Sequence, residues 1–160
     1  MSTGGKITAY TYIGDFGQMV ESVRVEGLKQ KISREEIALK ECYMDCCASI
    51  PCKGVMSAEV GESETRITFD PFLYRADFSI EAAGVTINKN TIDKVVVKNE
   101  ELFGRYKEGD VVYRLYEPKA HSPRPLILFL HGGGECGTDN LLQLTGTLGA
   151  IKLAERFPDM

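Results

Sequence analysis

The chain has 160 residues, 43% of them hydrophobic and 26% charged, with a net charge of −4. That is enough for one domain, or a small domain and part of another, at ordinary globular composition. Scattered Lys and Arg offer no basic surface for nucleic acid. No apolar stretch approaches the ~20 residues that span a bilayer, so no membrane partner is expected. The start, Met1 to Lys6, lacks the apolar core of a signal peptide. A cytoplasmic protein, or one whose leader has been removed, is expected.

The first hundred residues read as short strands. Residues 6–13 are rich in β-branched and aromatic side chains. Gly14-Asp15-Phe16-Gly17 is a turn, and residues 18–26 alternate apolar and polar from Val23 on, so the two runs make a hairpin. Ser33-Arg34-Glu35-Glu36 has the form of a helix capping box. The run after it, Ile37 to Tyr43, fits one turn of helix or an alternating strand about equally. Residues 54–60 and 65–69 are further strands around the turn Gly61 to Glu64, and Asp70-Pro71 is expected to break the ladder. Residues 76–80, 85–87 and 94–98 complete the series, with Asn88-Lys89-Asn90 as a turn. Turns about every ten residues point to an all-β sandwich. No convergent acid, base and nucleophile fall within it.

The pattern then changes. Residues 103–107 and 111–116 flank the tight turn Glu108-Gly109-Asp110. A proline-rich connection, Pro118 to Pro125, leads to Leu126-Ile127-Leu128-Phe129-Leu130-His131-Gly132-Gly133-Gly134-Glu135. Five consecutive apolar residues without alternation predict a strand buried on both faces, as in a parallel sheet covered by helices. The glycines permit a sharp turn at its carboxyl end and leave backbone N–H groups uncovered, where sites form in open α/β sheets. Thr138 or Asp139 can cap a following helix. Leu141, Leu144, Leu148 and Ile151 fall on one face of it, widened by Leu142, Leu153 and Phe157. Gly146 and Gly149 each cost about 1 kcal/mol in a helix interior and predict a loose or kinked middle. Asp139 suits the start of the helix dipole, Lys152 and Arg156 its end, and Pro158 stops it.

The segment Tyr113 to Pro118, followed by Arg124 to Asn140, resembles the early part of the α/β-hydrolase fold. It is most similar to the esterase and prolyl-oligopeptidase-like branch, in which an immunoglobulin-like domain precedes the hydrolase. The resemblance is sharp over residues 111–145 and architectural before them. It implies an Ig-like β-sandwich over residues 1–100 and the N-terminal portion of an α/β-hydrolase domain over 101–160, and it favours the strand for Ile37 to Tyr43. It also implies an oxyanion hole. Acyl transfer from an ester passes through a tetrahedral oxyanion, and a fixed N–H donor aimed at it contributes about 3–4 kcal/mol. The family places one donor in the loop after the third strand. By position, that donor is the amide of Gly133 or Gly134, the choice between them left open, with His131, Gly132 and Glu135 as the supporting loop. The plainer reading of the same glycines is a turn that joins a strand to a helix.

The departure from the family is an absence. Its nucleophile is a Ser in a Gly-x-Ser-x-Gly turn, followed by an acid and a His. The nearest approach, Gly61-Glu62-Ser63-Glu64-Thr65, lacks the second glycine and precedes the oxyanion strand. His131 belongs to the glycine motif, and His121 lies in the Pro118–Pro125 connection. Nucleophile, acid and base are therefore expected downstream of this chain, which reads as the amino-terminal part of a serine esterase acting on a small-molecule carboxylic ester. The alternative is a non-catalytic binding module with a vestigial hydrolase segment.

Cys42, Cys46, Cys47 and Cys52 are clustered, but C-x3-C-C-x4-C matches no paired zinc knuckle. A disulfide framework is open in a secreted protein, and free thiols are the plain reading. Cys136 stands at the variable position of the motif, and a Cys nucleophile there would need a base. No cofactor is implied. The incomplete sheet also has a physical consequence. Left alone, Leu126 to Leu130 would expose apolar surface and unpaired strand edges. The remainder of the hydrolase, or another copy of the chain, is the expected partner.

Overall fold

The computed structural model describes residues 5–28, 32–43, 54–118, 123 and 125–159. The elements in chain order are β1 (Ile7–Gly14), β2 (Gly17–Glu26), β3 (Ala38–Tyr43), β4 (Val55–Val60), β5 (Glu64–Leu73), β6 (Asp77–Ala82), β7 (Val85–Ile87), β8 (Lys94–Val97), β9 (Phe103–Glu108), β10 (Val111–Tyr116), α1 (Leu142–Thr145) and α2 (Gly149–Arg156). The chain is mostly β-sheet with few helices. It divides into two compact units, residues 1–12 with 19–96, and residues 13–18 with 97–160.

In the first unit, a five-stranded sheet runs β4-β5-β2-β1-β8 and a three-stranded sheet runs β3-β6-β7. Asp93 donates its N–H to Ile7 O at 2.9 Å, and Thr11 Oγ1 donates to Val96 O at 3.0 Å. Numbering rises together along both strands, so β8 runs parallel to β1. One core joins the two sheets. Val20, Val23, Ile67, Phe69 and Phe72 come from the larger, and Phe78, Ile80 and Ile87 from the smaller. Edge-to-face rings at its centre, Phe69–Phe72 at 5.6 Å and Phe72–Phe78 at 5.0 Å, add to the area they bury.

Two local expectations resolve here. Ile37 to Tyr43 forms the strand, preceded by a single 3-10 turn over Arg34–Glu36. One arm of the capping box survives in that turn: Ser33 N–H donates to Glu36 Oε2 at 2.7 Å, whereas Glu36 N–H donates to the Ser33 backbone carbonyl at 3.1 Å. The expected break at Asp70-Pro71 does not occur, because β5 continues to Leu73. The register passes from Val20↔Phe72 to Ser22↔Thr68, so Glu21 faces the whole of Phe69–Pro71 in a bulge. A proline cannot donate to a ladder, and the bulge asks for no donor there. Burial along β2 changes phase across the same irregularity: even-numbered Val20 and odd-numbered Val23 and Val25 share one core.

In the second unit, β9 and β10 form an antiparallel hairpin whose turn residue Gly109 has φ 57°. Polar groups tie the hairpin to residues on either side of it. Asn140, itself at φ 52°, donates from Nδ2 to Tyr113 O at 3.1 Å and Tyr106 O at 3.4 Å. Tyr116 donates its hydroxyl to Pro158 O at 2.6 Å, and Asn99 Nδ2 donates to Glu155 Oε1 at 2.5 Å. Arg114, its side chain buried, pairs with Glu100 at 2.7 Å. The predicted single helix is two helices, interrupted after Thr145 where Gly146 stands. Leu144 and Ile151 are buried as the helical spacing requires. Phe157 is not: it lies 40% exposed beneath the Arg156 guanidinium, which sits 5.8 Å from its ring.

The predicted buried strand is the largest difference. Residues 125–130 belong to no sheet. Leu126, Leu128 and Leu130 are 82%, 76% and 77% exposed, whereas Ile127 and Phe129 are 51% and 40% exposed. Exposure alternates along the segment and is least at Phe129. Phe129 lies where a Cβ at Gly149 would be, so the missing side chain of that glycine seats the ring. The physical reason for the difference is lateral: among the described residues no strand offers this segment a ladder, and without one neither its edges nor its outer face can be covered.

Candidate functional site

The glycine motif folds as a 3-10 turn over Gly133–Glu135 with Gly132 as its N-cap. Two reciprocal bonds close it. Gly132 N–H donates to Glu135 Oε2 at 2.9 Å, and Glu135 N–H donates to Gly132 O at 3.0 Å. His131 Nδ1 also lies 2.9 Å from Gly132 O, a contact that requires the Nδ1–H tautomer. Glu135 is buried, whereas His131, Gly132, Gly133 and Gly134 are exposed. The Glu135 side chain rests against Gly146, where a Cβ would collide with it. All three glycines of the motif border open space.

The consequence is a division of labour among the amides. The N–H of Gly132 is spent on Glu135 and is not free for a ligand. The N–H groups of Gly133 and Gly134 have no acceptor among the described residues. An exposed turn with two free donors is competent to bind an anionic oxygen.

The residues after the motif serve the turn rather than a ligand. Of Thr138 and Asp139, it is Asp139 that holds the entry to α1, whose N-cap position is Leu141: Asp139 Oδ1 accepts from Leu141 N–H at 2.9 Å and Leu142 N–H at 3.0 Å. These bonds from Leu142 and Leu141 hold the Asp139 carboxyl below its usual range. As α1 has only four residues, its dipole is small and adds little at the glycine turn.

The structure therefore brings together His131, Gly132, Gly133, Gly134 and Glu135. Cys136 is a free, exposed thiol beside them. Among the described residues, no group of three or more His, Cys, Asp or Glu side chains could hold a metal. Cys46, Cys47, Cys52 and His121 lie outside the described residues, and Cys42 is described only through its backbone. No described helix is long and apolar enough to cross a membrane. Sequence reasoning missed what two residues do, one at the site and one at the hairpin. Gly146 read as a weak point in a helix, although the cost of a glycine there was a signal that something needed its space. Asn140 carried the signal of a residue tolerant of positive φ, and its bonds to the hairpin only a structure reveals.

No family model matches the chain, and no curated protein matches it. Among solved structures, a thermostable esterase superposes with a TM-score of 0.53 at 21% identity, over 93% of this chain and 53% of its own. The chain is similar in fold to that esterase. It spans about half the length of that structure.

Proposed function

We propose that this chain is the amino-terminal portion of a serine esterase that hydrolyses small-molecule carboxylic esters. Its contribution is the oxyanion-hole loop. Nucleophile, acid and base come from polypeptide not contained in these 160 residues. The observation that carries the reading is the turn at Gly132–Glu135, which consumes one glycine amide internally and leaves Gly133 and Gly134 as free donors. The fold similarity to an esterase supports it. In the reaction, attack on the ester carbonyl puts negative charge on its oxygen. Donors already fixed in place stabilise that charge without reorganising at the moment of reaction.

An Ig-like domain over residues 1–100, ahead of a hydrolase portion over residues 101–160, is part of the same reading and is supported by strand order. The run β4-β5-β2-β1 corresponds to strands D-E-B-A of a constant-type immunoglobulin domain, and β3-β6-β7 to C-F-G. The parallel strand β8 is additional to that pattern. The role of this domain is structural.

The test is labelling with a fluorophosphonate, which modifies activated serines, followed by intact mass measurement. The protein is expressed with the coding sequence that follows Met160. Label on the downstream segment, together with hydrolysis of p-nitrophenyl esters, is the expected result. Label on the 17.7 kDa chain itself would overturn the order of motifs assumed here. No label at all would favour the binding-module alternative.

A further inference from the structure

We propose that Glu135, seated against Gly146, is a positioning residue that aims the Gly133 amide, and that Gly133 rather than Gly134 is the oriented donor of the loop. This rests on the esterase reading above. A trans peptide is planar, and its C=O and N–H point to opposite sides. The Gly132 carbonyl and the Gly133 N–H belong to one such plane, and the described residues contain no cis bond. That carbonyl accepts from Glu135 N–H at 3.0 Å and from His131 Nδ1 at 2.9 Å. With the oxygen drawn to one side by two donors, the Gly133 N–H is held facing the other. The preceding plane is held as well, because Gly132 N–H donates to Glu135 Oε2 at 2.9 Å. One residue thus grips Gly132 from both ends, with its backbone N–H and with its carboxylate. Gly134 shares no peptide with Gly132 and gains nothing from this grip.

Gly146 completes the device. The Glu135 side chain occupies the volume that any Cβ at Gly146 would fill, with Cδ 2.9 Å and Oε1 3.0 Å from that position. Gly146 has φ −71° and ψ −35°, ordinary helical values, so an alanine there is not strained by its backbone. What it meets is Glu135. The glycine that interrupts α1 and α2 is therefore a seat for the buried carboxylate.

Amide exchange and residual dipolar couplings of the 15N-labelled full chain test this. The Gly132 amide is expected to exchange roughly tenfold or more slowly than those of Gly133 and Gly134. The Gly133 N–H is expected to show a full-sized dipolar coupling, as a fixed vector does. Glu135→Ala and Gly146→Ala should each release Gly132 to fast exchange and collapse the Gly133 coupling, with the amides of α2 unchanged as a control. Glu135→Gln keeps an acceptor and should restore both. Fast exchange at Gly132 in the unaltered chain, or a Gly133 coupling indifferent to Glu135→Ala, would overturn the proposal. The unaltered chain and Glu135→Gln decide the matter even if an alanine variant does not fold. These readings need no substrate, so absence of esterase activity would strike the functional reading alone, and an unprotected Gly132 would strike the positioning device alone.

Discussion

Residues 67–73 carry four Ile, Leu or Phe side chains in seven positions and residues 125–130 carry five in six, yet the structure treats them oppositely. Ile67, Phe69, Phe72 and Leu73 are almost wholly buried, while Leu126, Leu128 and Leu130 are almost wholly exposed. Apolar content does not explain the difference, since the more apolar segment is the exposed one. Access to neighbours does. β5 lies between β2 and β4, both antiparallel to it and both supplied by the same unit. The segment at 125–130 has the composition of a strand flanked by parallel neighbours, and such neighbours are reached only through long crossovers. Hydrophobicity sets the demand for burial, and chain topology decides whether it is met.

The largest effect expected from this contrast is in the sandwich. Phe72→Ala should lower stability by about 3–5 kcal/mol, read from urea unfolding, because Phe72 joins both sheets through its ring neighbours. A loss below about 1 kcal/mol would mean that the two sheets do not share one core. A smaller effect is expected where the second unit depends on a cap. Asp139→Ala should cost about 1 kcal/mol at neutral pH, measured by thermal unfolding. The two backbone N–H bonds favour the carboxylate and hold its pKa below the ordinary 3.8. The stabilisation is therefore complete above the ordinary value and disappears as pH falls through the lowered one. Variant and parent should converge in strong acid, and a constant difference there would contradict the assignment. The smallest change in stability is expected at Leu128. Leu128→Lys should leave it within about 0.5 kcal/mol, yet reduce self-association in light scattering, since it interrupts an uncovered apolar edge. A destabilisation like that of Phe72→Ala would mean that Leu128 is buried in solution.

Most of the β framework was legible because its strands alternate and end in turns, whatever partner they meet. Alternation, turns at Gly14–Gly17, Gly61–Glu64 and Glu108–Asp110, and β-branched runs all report on near neighbours. Pro71 misled because its effect depends on the partner strand: a bulge at Glu21 is invisible in the sequence of β5. Phe157 misled because helical spacing states which residues share a face, not how far that face remains covered at its end. At the candidate site, the motif from His131 to Glu135 marked the turn. It could not say which amide was consumed, since that depends on the Glu135 side chain folding back to Gly132. Gly146 was beyond reach for a similar reason, because its meaning lies in a contact with Glu135, well before it in the chain.

The ring of Phe129 on Gly149 carries one more consequence. A strand slipped by a single residue turns every side chain to the opposite face. Phe129 has a socket on α2 and its odd-numbered neighbour Ile127 shares that face, whereas Leu126, Leu128 and Leu130 point away. The helix has thus fixed which side of the segment is up before any strand lies beside it. A chain that paired there would inherit a frame of reference set by one aromatic ring and one absent methyl group.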